Sequence, residues 1–455
     1  MNAGFARMCI TPPVGTRMEG WGMYHERPFS ESLHDDLFVR ALYLKDRDEE
    51  ALILAFDVLF FSRENADRLK AAVGRKLDLT PRQILINASH THCGPHTSNY
   101  TYHISLPPDW DWLNVVEEQT VAAAKRAKGS AQDVTIWTGA TRTHLPVSRR
   151  KPDGKGGVQW QPDPAVLVNR NLPFCLLKGR DGLPVCLLFS VSCHPSITQA
   201  HAFSAEYPGV ACDRLDAHLK RTAAMFSQGA AGDTKAIMTA VLPEKGEASF
   251  RVGTWDDIRQ AGEMVAGEVI AGLAGQLTEV EADMHSAIVE TRWPLQKLPD
   301  RAAFGAAQAD SRWIRRDWAK RHLELLDRGL PIRQEAPILV QGMSLGAGLR
   351  LIGVEGELVA ELGLQISDGF ARGVTFPLGY CNGMGLYLPN SRMIREGGYE
   401  TTSYDEYGYA APLAEGVEQV LRDGLEQIKC QGVGRMAPRR GASGKKPAES
   451  LAGGT

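Results

Sequence analysis

The chain has 455 residues, enough for one large domain or for several ordinary ones. Apolar residues make up 43% of it and charged residues 23%, a composition that excludes a disordered or fibrous protein. A formal net charge of -3 leaves no excess of lysine and arginine to neutralise phosphates, which argues against a nucleic-acid-binding protein. The apolar run at residues 51–61 is too short to span a bilayer and contains Asp57, which excludes an integral membrane protein.

The cysteines and the amino terminus indicate a reducing compartment. Eight cysteines are scattered along the chain, none in the Cys-x-x-Cys spacing of a zinc clip or redox site, and they are too few for a disulfide scaffold. The first residues show no basic segment followed by an apolar one, so no secretory signal is predicted. We therefore expect a cytoplasmic protein that does not insert stably into membranes, and its oligomeric state stays open.

Apolar runs and amphipathic stretches mix along the chain, which predicts an α/β fold. Residues 52–59 and 83–88 are β-rich apolar runs and are predicted to be buried strands. Between them we expect a helix with Ser62 as its N-cap, because Ser62 precedes apolar residues at helical spacing. A β-hairpin is expected from residues 174–177 and 185–192, which flank a turn rich in glycine.

The second half of the chain is predicted to contain two long helices and further strands. The helices are expected at 255–277 and 301–326, and the strands at 286–293 and 338–354. No proline- or glycine-rich linker interrupts these elements, so residues 1–432 are expected to form one domain of mixed β-sheets flanked by helices. Residues 433–455 cannot bury enough apolar surface to offset their ordering entropy and are expected to be a flexible tail.

The segment with the clearest chemical potential is Asn87-Ala88-Ser89-His90-Thr91-His92-Cys93-Gly94-Pro95-His96. Side chains alternate along a strand, so a His-x-His pair at a strand end presents the rings of His90 and His92 on one face. Imidazole pairs of this kind are a common first half of a zinc or iron site. The alternative is a pair of exposed or hydrogen-bonded histidines that hold no metal.

Other segments place polar groups at strand ends. His194 follows an apolar strand and precedes a proline that stops the hydrogen-bonding ladder. Glu357 comes shortly after another apolar strand, so a carboxylate can stand at the same sheet edge. The loop at 229–233 consists of small residues that let the backbone approach a ligand closely. Loops rich in glycine and tyrosine at 379–383 and 397–400 are weaker indications, because loop glycines usually only serve a turn.

In chain order, these segments resemble the catalytic domain of the neutral, non-lysosomal ceramidase family. The matching motifs are Gly4-Phe5-Ala6 through Thr11-Pro12, His90-Thr91-His92-Cys93-Gly94-Pro95, Cys193-His194-Pro195-Ser196, Ser204-Ala205-Glu206-Tyr207-Pro208-Gly209, Gly229-Ala230-Ala231-Gly232-Asp233, Gly356-Glu357 and Gly398-Tyr399-Glu400. Each motif is short, but their shared order extends the resemblance over nearly the whole chain, from residue 3 to residue 430.

The resemblance implies a single zinc ion held by two histidines, a glutamate and a tyrosine. On this chain the corresponding ligands are His90, His194, Glu357 and Tyr399. The resemblance also implies that His92 transfers protons beside the metal and that Arg149 contacts polar groups of the substrate, for which the alternative is a surface cation. The group expected to stabilise the oxyanion is either Arg149 or one tyrosine of a cluster that consists of Tyr404, Tyr407 and Tyr409.

The expected function is hydrolysis of an amide bond in a small or medium-sized N-acyl compound by a zinc-activated water. One departure from the family limits the substrate, because Lys235 stands where ceramidases carry a serine near the substrate's polar head. A lysine there favours an anionic group over an apolar lipid, so ceramide is not the expected substrate. The alternative is that Lys235 pairs with Asp233 or Glu206 and does not meet substrate.

Two other classes of protein stay open. An amidohydrolase-type barrel also begins with His-x-His at a strand end, but it needs eight alternating strand and helix units, and the strand-rich stretch at 286–354 fits this poorly. The other class is a protein of the same fold that binds a metal or ligand without catalysis. The metal content of the purified protein separates these possibilities, because the absence of zinc favours a binding or structural role.

Overall fold

A computed structural model describes residues 1–21, 28–98, 107–370 and 372–435. Most of the predicted tail at 433–455 therefore lies outside the described residues. Within these ranges, no helix combines the length and the apolar character that a membrane span requires. The expectation that residues 1–432 form one domain stays a prediction.

The described residues form strands and helices that alternate throughout the chain. The first strands are β1 (Asn2–Cys9), β2 (Met18–Glu19), β3 (Ser32–Leu33), β4 (Phe38–Asp46), β5 (Glu49–Phe56), β6 (Ile84–Ala88), β7 (Gly94–Pro95), β8 (Gln132–Arg142), β9 (Pro146–Pro152), β10 (Val158–Asp163), β11 (Asn171–Gly179) and β12 (Pro184–Val191). The later strands are β13 (Ala202–Phe203), β14 (Ala224–Gln228), β15 (Thr234–Ala236), β16 (Ala240–Val241), β17 (Ser249–Phe250), β18 (Thr278–Val280), β19 (Ala282–Pro294), β20 (Glu335–Gly346), β21 (Leu349–Val354), β22 (Glu357–Leu358), β23 (Val374–Leu378) and β24 (Tyr387–Leu388). The helices are α1 (Arg63–Leu77), α2 (Trp110–Gly129), α3 (Glu206–Leu219), α4 (Trp255–Leu273), α5 (Arg301–Ala307), α6 (Trp313–Asp327), α7 (Ala360–Asp368), α8 (Ser391–Glu396), α9 (Tyr399–Thr402) and α10 (Val417–Cys430).

Two sheets dominate the fold. The larger has nine strands in the order β14-β12-β11-β8-β1-β4-β5-β6, with β18 added beside β8. Its pairs are antiparallel except at the two ends, where β12 pairs with β14 and β5 with β6 in parallel. The smaller sheet has the order β19-β20-β21-β23, and only β21 and β23 are parallel. This confirms the predicted α/β fold of mixed sheets, and it excludes the barrel alternative, which requires eight parallel strands.

The two sheets pack face to face and helices cover their outer faces. Side chains alternate along β5, so Leu52 and Leu54 join the core under α1 and α2, whereas Ala51 and Ile53 join the core between the sheets. A strand buried on both faces is a continuous apolar run, which explains why it is visible in the sequence. Helices α3 and α4 cover the other half of the larger sheet, and α7 and α10 cover the smaller sheet.

The predicted elements agree with the structure except at two places in the second half of the chain. The helix expected at 255–277 is α4, and the strand expected at 286–293 lies within β19. The helix capped by Ser62 and the hairpin of β11 and β12 are confirmed, and Ser62 Oγ accepts from the Asn65 N–H at 3.3 Å. The helix expected at 301–326 is divided into α5 and α6, because the Asp310 carboxylate accepts the Arg312 N–H at 2.8 Å and interrupts the helical pattern. The strand expected at 338–354 is two strands joined by a turn at Gly348, which has a φ of 87°.

The ends of four central strands meet on one side of the molecule. Asn87 at the end of β6 joins it to β14, since its Nδ2 donates to Gln228 O at 3.3 Å and its Oδ1 accepts from the Gln228 N–H at 2.8 Å. The same Nδ2 donates to Gly379 O, 2.9 Å away, in the loop after β23. The Gly229 N–H donates to Val191 O at the end of β12, and the Cys381 N–H donates to Val354 O at the end of β21. The loops that follow β6, β12, β14 and β21 therefore come together here.

Candidate metal centre

His90 lies in the loop after β6, in a backbone conformation that its neighbours impose. Its φ of 66° is costly for a residue other than glycine, so surrounding contacts must hold it. Its N–H donates to Val58 O at 2.9 Å, and its ring Nδ1 donates to Leu59 O at 2.9 Å. A carbonyl oxygen only accepts, so Nδ1 carries a proton, and in the neutral ring Nε2 is then the acceptor.

His194, in the loop after β12, is anchored in the same way. Its Nδ1 donates to Ala231 O at 2.6 Å, in the small-residue loop at 229–233. That loop approaches closely because of Gly232, where a Cβ atom would lie 2.7 Å from Glu357 O. The Nε2 atom of His194 is therefore also left as an acceptor. Burial lowers the pKa of His194 to about 4, despite its interaction with Glu357, so the ring is neutral at neutral pH.

Glu357 supplies the carboxylate that both imidazoles face. It follows Gly356, which has a φ of 132° and whose Cβ, if present, would lie 2.7 Å from Leu386 O. Glycine at this position lets the chain turn sharply into β22. Glu357 Oε2 lies 3.4 Å from His90 Nε2 and 3.2 Å from His194 Nε2.

Three tyrosines surround this carboxylate. Tyr380 donates its hydroxyl to Glu357 Oε2 at 3.3 Å, and Tyr407 donates to Oε1 at 3.0 Å. Tyr387 pairs with Glu357 across the parallel strands β22 and β24, and its ring centroid lies 5.4 Å from the Arg149 guanidinium. Burial alone would raise the pKa of Glu357, but its interactions with the facing histidines hold that pKa well below the ordinary value. The side chain is therefore an ionised carboxylate.

Three buried ligand atoms thus converge, namely His90 Nε2, His194 Nε2 and Glu357 Oε2. The ligand atoms of His90 and His194 also lie within 4.8 Å of that of His92, so these three histidines form one cluster. Neutral imidazoles together with a carboxylate are a common zinc ligand set, and metal-binding histidines usually donate their other ring N–H to a carbonyl or carboxylate. The donor set therefore fits a divalent cation such as zinc.

His92 stands at the side of this cluster. Its Nε2 lies 3.3 Å from His90 Nε2, and its backbone N–H donates to Pro195 O at 3.0 Å. Its ring packs against the Trp21 ring with centroids 4.9 Å apart. Burial and the neighbouring charges hold the pKa of His92 well below 6.5. The ring is therefore neutral at neutral pH and can accept a proton.

Arg149 is buried beside the cluster and is 3% exposed, which excludes the surface-cation alternative. Its Nε donates to Glu400 Oε1 at 2.7 Å and its Nη2 donates to Gly232 O at 2.5 Å. Glu400 also accepts from Arg150 at 2.5 Å, so one carboxylate fixes two guanidinium groups. The Trp160 ring lies 4.3 Å from the Arg149 guanidinium and covers it.

The hydroxyl of Tyr399, the predicted fourth ligand, is hydrogen-bonded to a carboxylate other than that of Glu357. It donates to Glu406 Oε2 at 2.8 Å, and its ring stands edge-on to Trp160 and Tyr387 with centroids 5.4 Å away in each case. His90, His194 and Glu357 come together as expected, whereas the assignment of Tyr399 to the metal stays a prediction. Of the tyrosines considered for the oxyanion, Tyr407 alone makes a described hydrogen bond to Glu357.

Lys235 lies in β15 at the edge of the site and is 6% exposed. Its Nζ donates to Ser196 O at 3.0 Å and to Ser196 Oγ at 3.1 Å. No described hydrogen bond or ion pair joins it to Asp233 or Glu206, so the expected alternative pairing is not observed. Burial lowers the pKa of Lys235 to about 8, which leaves the amine mostly protonated at neutral pH.

Sequence reasoning misses two of the tyrosines and the partner of Arg149. Tyr380 belongs to a loop that the sequence marks only as rich in glycine and tyrosine, and its φ of 54° turns the ring toward Glu357. Tyr387 lies in no recognisable motif. Glu400 appears only in the short motif Gly398-Tyr399-Glu400, in which the sequence points to Tyr399 as the functional residue. Their roles depend on which loops meet in three dimensions.

No family model matches the chain, and no curated protein matches it. Solved structures do match. The crystal structure of neutral ceramidase from Pseudomonas aeruginosa aligns with a TM-score of 0.71 at 16% identity, over 96% of this chain and 76% of that chain. A ceramidase complexed with C2 aligns with a TM-score of 0.71 at 14% identity, over the same shares of the two chains. The chain therefore has a neutral-ceramidase-like fold, as the sequence motifs predict.

Proposed function

We propose that this protein, with its neutral-ceramidase-like fold, is a zinc-dependent hydrolase that cleaves the amide bond of a small N-acyl compound. The observation that carries the proposal is the convergence of His90 Nε2, His194 Nε2 and Glu357 Oε2, with both rings fixed by Nδ1 hydrogen bonds to carbonyls. The fold adds support, because two solved structures that share it are those of ceramidases.

The proposed ligands of the ion are His90, His194 and Glu357, with Tyr399 as the fourth. Zinc held there would supply Lewis-acid chemistry for the attack of water on the amide carbonyl. Tyr380 and Tyr407 hold the carboxylate of Glu357 from its two oxygens. Such outer hydrogen bonds keep a ligand oriented and tune its affinity for the metal.

His92 is the proposed proton-transfer group. Its neutral ring accepts a proton from the attacking water and returns it to the nitrogen of the leaving amine. The hydrogen bond from its N–H to Pro195 O and the packing of Trp21 hold the imidazole in place while the proton moves.

Arg149 is the proposed contact for polar groups of the substrate. Its Nε and Nη2 are already committed to Glu400 and Gly232, so the plane of the guanidinium is fixed before substrate arrives. A fixed donor of this kind stabilises developing negative charge without having to reorganise.

The experiment that tests this function is an assay of the purified protein on N-acyl amides, peptides and lactones, before and after chelation. We expect turnover of at least one N-acyl amide, its loss after treatment with a chelator, and its recovery when zinc is added back. A protein that binds zinc but turns over none of these compounds would instead support binding without catalysis. Turnover that survives complete removal of metal would contradict the zinc-dependent mechanism.

A further inference from the structure

A buried lysine without a described carboxylate partner lies beside the candidate metal centre. Lys235 donates two hydrogen bonds, both to Ser196. An ammonium group has three N–H donors, so one remains for a further acceptor. Nζ also lies 5.2 Å from the centroid of the Trp21 ring and 5.7 Å from that of Phe250, so its surroundings are largely apolar.

The acidic side chains near Lys235 are engaged elsewhere. Glu206 is the described carboxyl group that interacts electrostatically with Lys235, and its Oε1 accepts the backbone N–H of Ile197 at 2.9 Å. Asp233 is two residues from Lys235, but its Oδ1 accepts the Ala360 N–H at 2.8 Å. Burying an ammonium is costly unless an anion pairs with it. The charge of Lys235 is therefore suited to an anion that comes from outside the chain.

The lysine is tied to the same short segment as the histidines. Ser196, which accepts both of its hydrogen bonds, is two residues after His194, and Pro195 O accepts the His92 N–H at 3.0 Å. The Trp21 ring connects the two groups, since it lies 4.9 Å from the His92 ring and 5.2 Å from the ammonium of Lys235. An anion on Lys235 would thus be close to the group that protonates the leaving amine.

We propose that Lys235 binds a carboxylate on the amine half of the substrate, which makes the substrate an N-acyl amino acid. The inference rests on the proposed hydrolase function and specifies its substrate class. In an N-acyl α-amino acid one carbon atom separates the carboxylate from the amide nitrogen, so both groups fit a compact site. The rings of Trp21 and Phe250 exclude water from the ion pair, which strengthens it.

The reaction needs no co-reactant other than water. Water adds its oxygen to the acyl carbon, the C–N bond breaks, and its protons are shared between the products. The released amine is a free amino acid whose carboxylate stays on Lys235 until it dissociates.

The test compares N-lauroylglycine with N-lauroylethanolamine, which share an acyl chain and differ in carrying a carboxylate or a neutral hydroxyl. We expect kcat/KM of the unmodified protein to be at least roughly tenfold higher for N-lauroylglycine, since a charged hydrogen bond is worth about this much. Lys235→Met should lower that value about 10- to 100-fold and change the value for the ethanolamide less than about threefold. Lys235→Arg should retain the preference, and Lys245→Met, at an exposed position, is the matched control.

A binding measurement that does not depend on turnover distinguishes failure of the carboxylate site at Lys235 from failure of the hydrolase function. Calorimetry on the zinc-loaded His92→Ala background should show N-lauroylglycine binding at least roughly tenfold more tightly with Lys235 than with Lys235→Met. If neither amide is hydrolysed but this difference holds, the hydrolase function fails and the carboxylate site stands. Three results would overturn the inference. They are equal affinity for N-lauroylglycine with Lys235 and with Lys235→Met, a preference for the ethanolamide, and no binding of either compound.

Discussion

The three histidines of the cluster differ in what their rings face. His90 and His194 direct Nε2 at Glu357, whereas the Nε2 of His92 faces His90 at 3.3 Å. The first two are therefore placed to hold an ion together with the carboxylate, and His92 is placed to move a proton beside it. This division of roles predicts different phenotypes for the corresponding alanine variants.

His92→Ala should keep the metal and lose roughly 100-fold or more in kcat, the usual contribution of a general acid–base group. Zinc content and steady-state kinetics on the same preparation check this. His322→Ala is a suitable control, because His322 is a buried histidine that donates to Trp318 O, outside the cluster. Loss of zinc along with activity would show that His92 is itself a ligand.

Loss of the Tyr407 hydroxyl is expected to weaken zinc binding without abolishing it. Tyr407→Phe removes the donor to Glu357 Oε1 but leaves all three proposed ligands, so zinc affinity should fall about 10- to 100-fold. Competition with a chromogenic chelator measures the change. Tyr409→Phe removes the hydroxyl of a tyrosine that belongs to the core over the smaller sheet, and it should leave the affinity unchanged. An equal effect of the two variants would argue against a role for Tyr407 at the site.

At the scale of strands and loops, one buried side chain holds the site together. Asn87 is fully buried and joins β6 both to β14 and to the loop after β23. Removal of the amide takes a hydrogen-bond partner from the buried backbone groups of Gln228 and Gly379. The loops that carry His90 and Tyr380 start directly beyond these contacts.

Asn87→Ala should therefore lower the free energy of unfolding by about 2–4 kcal/mol. Denaturant titration measures this, with Asn114→Ala on the exposed face of α2 as the control, for which a change below about 0.5 kcal/mol is expected. A change as small for Asn87 as for the control would mean that the strand ends are held by other contacts.

The same scale shows what the sequence predicts and what it does not. Strands β5 and β6 are visible because both faces are buried, and the His-x-His pair is visible because it follows one of them. The partners Tyr380 and Tyr407 are not visible, because they reach Glu357 from loops 23 and 50 residues away. Sequence periodicity predicts whether a segment is a strand or a helix, but it does not predict which loops come into contact in the folded chain.

At the scale of the molecule, the site depends on the packing of both sheets. His90 and His194 follow strands of the nine-stranded sheet, and Glu357 follows β21 of the four-stranded sheet. The apolar core between the sheets therefore sets the distance between imidazoles and carboxylate. Changes that loosen this core should weaken metal binding even where no ligand is altered.

A buried carboxyl group makes the stability depend on pH. Burial raises the pKa of Glu206 from 4.5 to about 8, although the hydrogen bonds that it accepts from backbone N–H groups lower this pKa. The native state then keeps a proton that the unfolded state releases. The contribution of Glu206 is complete below pH 4.5 and is lost as the pH rises to about 8.

Glu206→Gln cannot release this proton. Between pH 5 and pH 8 the unmodified protein should lose at least about 1.4 kcal/mol relative to the variant, the value of one pKa unit. Denaturant titrations of both proteins at the two pH values, with equal metal loading, measure the difference. A difference that does not change with pH, or that changes in the opposite direction, would contradict the prediction.

The most direct measurement of the central claim is the zinc content of the purified chain after reconstitution and dialysis, by elemental analysis. We expect one zinc ion per chain in the unmodified protein and in His322→Ala. His90→Ala and His194→Ala should each lose most of the metal while keeping the fold, as monitored by circular dichroism. An unmodified protein that retains no zinc, or full retention of zinc by both of those variants, would contradict the assignment of His90 and His194 as zinc ligands.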